Sequence, residues 1–299
     1  MSCYAFDWVD AFTTRAFGGN GCVVVHGADG LSVSDRLALV RETSLSECAY
    51  VVASDVADFG ARYYLAEREI LMAGHPTVAT VASLVDRGMV DLSAGGAGFT
   101  LEVGAGVLPI EVVQQAGGAM VTMTQPAPQF GRIVAPERIA ALVSLDTDDI
   151  VGTPQVVSTG TPFCIAVIKD RAALKRARLN LDLFAKMNPP GTARDDLIEP
   201  FLVTLGGETA EGDTFSRLLL PPPMPPEDPF TGSATGCMAA YLWHHGLIDA
   251  EFVAEQGHWM GRPGRADVTL LGPREAPTGV RVGGQGYVLM RGTLDLPDS

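Results

Sequence analysis

The feature that most constrains the fold is a pair of apolar helix patterns, one in each half of the chain. In the first, apolar residues fall at i, i+3, i+4 and i+7 from Val78 to Val85, and Gly88 follows. In the second, the same spacing runs from Ala234 to Tyr241, and Gly246 follows. This spacing gives one apolar face per helix, and a glycine just after the last turn is a common C-terminal stop.

The segments around the two helices repeat the same order. Each half contains a glycine turn and strand, then helices, another strand, a loop of unusual composition and the apolar helix. From Gly74 to Gly88 is 14 residues, whereas from Asp228 to Gly246 is 18, so we expect the second helix to be about one turn longer. A weak internal repeat of this kind predicts two related domains.

The turn-rich segment Gln125–Pro136 carries three prolines and a glycine, and it predicts the boundary between domains 1–126 and 127–299. Many strands and one apolar helix per half would fit an α+β protein with two barrels, each around a central helix, although the pattern alone does not require barrels. Short apolar runs bounded by turn residues predict strands near 4–8, 22–25, 48–53, 61–65, 99–103, 107–114, 119–124, 163–168, 201–204 and 215–220.

Composition excludes several classes of function. The net charge of −14 argues against a nucleic-acid partner, because phosphate binding requires clustered cations. No apolar run approaches the roughly 18 residues of a membrane span, and the N-terminus does not resemble a secretory signal. The five cysteines are widely spaced, which predicts reduced thiols in the cytoplasm and no metal. Only three lysines could serve pyridoxal phosphate, and none lies in a recognisable context, so no cofactor is expected.

Three residues are candidates for chemistry, and each also has a structural explanation. Glu47 lies at the mouth of the apolar strand 48–53, where a carboxylate could simply be solvated. His75 precedes Pro76 at a helix start and could be a helix cap or a satisfied loop histidine. Asp228 also precedes a proline at a helix start, so capping alone would explain it.

Asp228 and the Gly74-His75 pair occupy equivalent places in the predicted repeats. If the halves face each other, both helix N-termini would point into one cleft, where free amides and the helix dipole favour a substrate carboxylate. The loop 18–21 lacks the spacing of a phosphate or dinucleotide loop, and we interpret it as a tight turn.

Together these stretches resemble the signatures of the PhzF-like isomerase family. They run in the order of that family and cover nearly the whole chain: Asp10-Ala11-Phe12-Thr13 with Gly19-Asn20-Gly21, Ser46-Glu47, Gly74-His75-Pro76-Thr77, Glu227–Ala234, and Glu255–Pro263 with Gly283-Gly284. The resemblance implies the diaminopimelate-epimerase-like fold, with two similar domains, each a barrel-like sheet around a central helix, and the active site in the cleft between them. It also implies a homodimer.

The resemblance further implies a reaction similar to that of trans-2,3-dihydro-3-hydroxyanthranilate isomerase in phenazine biosynthesis. Glu47 would then remove and return a proton on a small cyclic or unsaturated carboxylate, without a cofactor. His75 and Asp228 would assist by hydrogen bonding and proton handling. The substrate-binding positions of the family match Ser46, Gly74, Gly232 and Ser233.

Racemases and epimerases of the same fold use two cysteines, and the matching positions here are Gly74 and Asp228. Neither is a thiol, so a two-thiol mechanism is disfavoured. Two alternatives remain: an epimerase or dehydratase on the same fold, and a member that binds a metabolite or protein partner without turnover.

Overall fold

The chain forms two compact units in the computed structural model, which describes residues 2–193, 196–222 and 224–296. One unit comprises Met1–Met123 with Gly283–Ser299, and the other comprises Thr124–Val282. None of the helices in the described ranges has the length and apolar character needed to cross a bilayer.

The first unit is built from strands around one buried helix. Its elements, in chain order, are β1 (Ser2–Ala11), β2 (Asn20–Val25), α1 (Val33–Thr43), β3 (Cys48–Val52), β4 (Phe59–Tyr64), β5 (Glu69–Ile70), α2 (Gly74–Asp86), β6 (Gly96–Val103), β7 (Gly106–Gln115), most of β8 (Gly118–Gln125) and most of β17 (Gly279–Leu296).

The strands of the first unit close into a barrel-like sheet. Strand β1 lies antiparallel between β17 and β2, β2 pairs in parallel with β3, and β3 is antiparallel to β4. Strand β4 then pairs in parallel with β6, and antiparallel pairings continue through β7 to β8. The pairing of β8 with β17 completes the circuit, which confirms the predicted α+β, barrel-like fold.

Helix α2 lies against β1, β2 and β3 and is buried on every side along Gly74–Leu84. Burial extends beyond the predicted apolar stripe, because Thr77, Thr80 and Ser83 are also buried. A helix surrounded by a barrel has no solvent face, so apart from His75 the polar residues along Gly74–Leu84 are small. Thr77, for example, satisfies its hydroxyl by donating to the Ala73 carbonyl at 2.7 Å.

The second unit has the same plan. In chain order it contains β9 (Gln129–Ile133), α3 (Pro136–Leu142), β10 (Ile150–Ser158), β11 (Pro162–Ile168), α4 (Arg171–Arg176), α5 (Leu181–Met187), β12 (Pro200–Leu205), β13 (Thr214–Leu219), β14 (Glu227–Asp228), α6 (Gly232–His244), β15 (Glu251–Gln256) and β16 (Gly264–Leu271).

The pairings of the second unit follow those of the first. Strands β11 and β12 are parallel, β12 and β13 are antiparallel, and β13 pairs in parallel with β15, as β2, β3, β4 and β6 do. Helix α6 packs against β10, β11, β12 and β16 and is buried almost throughout. The predicted internal repeat is therefore present in the topology.

The repeat corrects the predicted helix lengths. Helices α2 and α6 both have 13 residues, beginning at Gly74 and Gly232. Asp228 lies before α6, in the short strand β14, and not at its first turn. Gly232 is therefore the counterpart of Gly74, and Asp228 is the counterpart of Ile70 at the end of β5.

The structure also differs from the predicted domain limits at the C-terminus. The boundary near residue 126 lies within three residues of the observed division, but the sequence assigned all of 127–299 to the second domain. Strand β17 pairs with β1 from Ser2↔Leu296 to Ala11↔Gly286, which places the C-terminal strand in the first unit. The first strand would otherwise lack a partner on one edge.

Candidate functional site

Glu47 lies in the connection from α1 to β3, one residue before the strand begins. Its side chain is 18% exposed, and its Oε2 lies 3.7 Å from Nδ1 of His75. A solvated carboxylate at a strand end would be far more exposed, so the structural explanation given above does not fit Glu47. The carboxylate instead lies at the edge of a set of buried polar side chains.

His75 lies in the first turn of α2 and is 5% exposed. Burial lowers its pKa from 6.5 to about 3, because the charged imidazolium would lose its hydration. The ring is therefore neutral near pH 7, and its contact with Glu47 is not an ion pair. Ala73, and not His75, occupies the cap position of the helix, so a capping role is excluded.

Asn20 belongs to the same group, although sequence reasoning assigned it only to a tight turn. Its amide Nδ2 lies 3.3 Å from Nδ1 of His75, and the side chain is buried. The turn is real, because Gly19 has φ of +49° and a Cβ there would overlap the Ala11 carbonyl. Its consequence for function is that it places Asn20 at the first position of β2. In the sequence, the only sign of a role for Asn20 was its place between two glycines just before a buried strand.

Two other predicted residues flank this group. Ser46 precedes Glu47, and its Oγ is buried without a hydrogen-bond partner among the described residues. Gly74 is the first residue of α2, whose cap residue Ala73 makes no side-chain cap hydrogen bond and whose first turn contains no acidic residue. The structure thus brings Ser46, Glu47, Gly74 and His75 together in the first unit, together with Asn20.

Asp228 is the predicted catalytic residue of the second unit. It is buried, and it pairs with Leu218 through β14. The Thr231 hydroxyl donates to its Oδ2 at 2.5 Å, and Gln256 Nε2 donates to its backbone carbonyl at 2.8 Å. Asp228 is therefore held from two sides, and Thr231, not Asp228, occupies the cap position of α6.

The start of α6 is fixed by two glutamines to which the sequence analysis gave no role. Gln125 Nε2 donates to the Gly232 carbonyl at 2.9 Å, and Gln256 Oε1 accepts from the Thr231 amide at 3.1 Å. Ser233 follows Gly232 in the first turn and is half-buried. As in α2, the cap residue, here Thr231, makes no side-chain cap hydrogen bond, and the first turn has no acidic residue. Isolated glutamines in long sequences carry no local signal, since their partners are distant along the chain.

The cysteines near these residues are not suited to act as bases. Burial raises the pKa of Cys48 to about 11, and burial together with the neighbouring Cys48 and Glu47 raises that of Cys22. Both helix starts carry glycine, at Gly74 and Gly232. Within the repeat Gly74 is therefore equivalent to Gly232, which corrects the predicted equivalence of the Gly74-His75 pair and Asp228.

The sequence model of the PhzC-PhzF family, described as phenazine biosynthesis-like protein, matches residues 9–292. The chain is 32% identical to the uncharacterized isomerase YddE of Salmonella typhimurium, over 94% of this chain and 95% of that protein. It is 26% identical to trans-2,3-dihydro-3-hydroxyanthranilate isomerase of Pseudomonas chlororaphis, over 96% and 98%. A crystal structure of the PhzF-family phenazine biosynthesis protein of Bacillus anthracis superimposes with a TM-score of 0.86 at 25% identity, covering 99% of this chain and 100% of that one.

Proposed function

Since the chain belongs to the phenazine biosynthesis-like PhzC-PhzF family, we propose that it moves a proton on a small cyclic or unsaturated carboxylate. It is an isomerase, as its named relatives are. The finer proposal is that Glu47 removes the proton from one carbon and returns it to another, without a cofactor. The observation that carries it is the half-buried carboxylate of Glu47 beside the buried, neutral ring of His75.

Support for Glu47 as the base comes from its surroundings. Abstraction of a proton from carbon requires a base within hydrogen-bond reach of that carbon, in a place from which water can be excluded. Glu47 retains partial exposure, so a substrate can reach it, while His75 beside it is almost fully buried. The neutral ring does not stabilise the carboxylate as a cation would.

Support for a carboxylate substrate comes from the two helix starts. The cap residues of α2 and α6, Ala73 and Thr231, make no side-chain cap hydrogen bond, and neither first turn contains an acidic residue. Free amides at a helix N-terminus, together with the helix dipole, favour an anion. Gly74 and Gly232 carry no side chain at these helix starts, Ser233 adds a hydroxyl in the first turn of α6, and Ser46 adjoins Glu47.

Asp228 has a supporting role in this proposal. Its carboxylate accepts from the Thr231 hydroxyl, and the Thr231 amide is in turn held by Gln256. This arrangement fixes the orientation of the carboxylate before the substrate binds, which is what a proton-handling group needs. The proposal is that Asp228 acts on the same substrate as Glu47 and His75.

The test is turnover in deuterium oxide, followed by NMR and mass spectrometry. The panel contains trans-2,3-dihydro-3-hydroxyanthranilate and a set of amino and hydroxy acids, including proline derivatives. An isomerase shifts a double bond and incorporates solvent deuterium at carbon. An inverted stereocentre with deuterium incorporation would instead indicate an epimerase, and loss of water a dehydratase.

The matched control is Glu42→Gln, which makes the same change on the exposed face of α1. We expect Glu42→Gln to retain activity and Glu47→Gln to lose it. Thermal shift by panel compounds without any conversion or exchange would contradict the proposal and would favour a binding protein.

A further inference from the structure

The position of Asn20 is set by backbone geometry. Strand β1 ends at Ala11, which pairs with Asn20 at the start of β2. Between them the chain turns at Gly19, where a Cβ would lie 2.9 Å from the Ala11 carbonyl carbon and closer to its oxygen. Only glycine fits this approach. The side chain of Asn20 is 2% exposed, so its amide is held in one place beside His75.

The contact between Asn20 and His75 defines which ring nitrogen carries the proton. The amide nitrogen of asparagine is only a donor, so Nδ1 of His75, at 3.3 Å from it, must accept. A neutral imidazole has one N–H and one lone-pair nitrogen. With Nδ1 accepting, the proton is on Nε2. The carboxylate of Glu47 lies farther from Nδ1, at 3.7 Å, which is beyond hydrogen-bond distance.

We propose that Asn20 is a positioning residue that holds His75 as the Nε2–H tautomer, so that Nε2 donates a hydrogen bond to the substrate. This inference rests on the proposed function for the identity of the bound molecule. Its substrate must present an acceptor at that place, such as a carboxylate or hydroxyl oxygen, and a cationic ammonium group would be rejected.

Two further observations support this assignment. Nε2 of His75 is buried and has no hydrogen-bond partner among the described residues. A buried donor without an acceptor is destabilising, and a bound acceptor would remove that cost. The ring also stays neutral well below pH 7, since burial lowers its pKa to about 3, so one tautomer can persist through the physiological range.

The test measures the tautomer directly by NMR of the whole chain labelled with 15N-histidine. The chain has five histidines, and the His75→Gln variant identifies the signals of His75. A ring nitrogen without a proton resonates far downfield of one that carries a proton. We expect the downfield signal at Nδ1 and the upfield signal at Nε2.

The Asn20→Asp variant changes the partner of Nδ1 from a donor to an acceptor. We expect the two shifts of His75 to exchange places, because the carboxylate would draw the proton to Nδ1. The matched control is Asn180→Asp, which makes the same change at the cap of α5, where aspartate is an equally good cap. This control should leave the His75 signals unchanged.

Two outcomes overturn the inference: an Nδ1–H tautomer in the wild type, or a folded Asn20→Asp variant with wild-type shifts. The wild-type spectrum decides even if the variant fails to fold. Neither measurement requires turnover, so failure of the proposed isomerisation would leave the tautomer result intact. Where a substrate is found, Asn20→Asp should lower kcat and alter its pH profile, whereas Asn180→Asp should change neither.

Discussion

Replacing Gly236 with alanine should destabilise the second unit, although alanine is normally the better helix former. Gly236 is the fifth residue of α6. An ideal Cβ there would lie 2.5 Å from Cδ and 2.9 Å from Nε2 of Gln125, and closer still to Oε1. Gln125 cannot move freely, because it is buried and its amide bonds to Gly232 and Thr159.

The expected magnitude follows from what the amide would lose. Displacing Gln125 breaks the 2.9 Å bond from Nε2 to Gly232 and the 2.5 Å bond that Oε1 accepts from Thr159. A buried polar group left unsatisfied costs about 1–3 kcal/mol, so the two losses amount to about 2–6 kcal/mol. Alanine gains about 1 kcal/mol over glycine inside a helix. The net expectation is a loss of about 1–5 kcal/mol in the free energy of unfolding.

Urea unfolding of four proteins tests this reasoning: the wild type, Gly236→Ala, Gln125→Ala and the double variant. In the Gln125→Ala background the obstructing amide is absent, so Gly236→Ala should be neutral or stabilising by about 1 kcal/mol. A change of sign between the two backgrounds is the specific expectation. Gly236→Ala that stabilises the wild type, or that has the same effect in both backgrounds, would refute the steric argument.

Three other predictions concern the first unit. Asp7→Asn should lower the unfolding free energy at pH 7 by about 2–4 kcal/mol in urea, because buried Asp7 binds both Nε and Nη2 of Arg87, which is itself a quarter exposed. The stability of the wild type should fall by up to about 5 kcal/mol more than that of His75→Gln between pH 6.5 and 3, because the unfolded state takes up a proton on His75 that the folded state refuses. Gly19→Ala should lower the melting temperature, since its Cβ would overlap Ala11, whereas Gly27→Ala, at another positive φ with open space, should have a smaller effect.

Each of these has an outcome that contradicts it. Equal stability of Asp7→Asn and the wild type would mean that the buried ion pair with Arg87 contributes nothing. Parallel pH dependence in the wild type and His75→Gln would mean that the His75 pKa is not depressed in the fold. If the Gly19 and Gly27 substitutions had equal effects, both would be explained by backbone strain at positive φ. The close approach of Gly19 to Ala11 would then contribute nothing.

The sequence predicted the fold well where the pattern is local. Each predicted strand lies on an observed strand, and both helix patterns end at glycines with φ near +70°, at Gly88 and Gly246. The pairing of β17 with β1 joins residues almost 300 positions apart, so no local sequence pattern could predict it. The start of α6 was placed four residues early, because Pro229 after Asp228 is typical of a first helical turn.

For the candidate site, the sequence indicated two side chains, Glu47 and His75, that the structure places together, but it did not indicate the amide side chains that contact the site residues. The structure places Glu47 beside His75 as a pair 28 residues apart in sequence, each marked by an unusual local motif. Asn20, Gln125 and Gln256 were missed, because an amide becomes informative only when its partner is known. Their contacts span 55, 107 and 28 residues respectively.

The role of Glu47 is tested most directly by the rate at which a carbon-bound hydrogen of the identified substrate exchanges with solvent. We expect Glu47→Gln to fold as the wild type does, to bind the substrate, and to lose about 10²–10⁴-fold in the exchange rate, the range for removal of a general base. Exchange and turnover at the wild-type rate in Glu47→Gln would show that another group moves the proton.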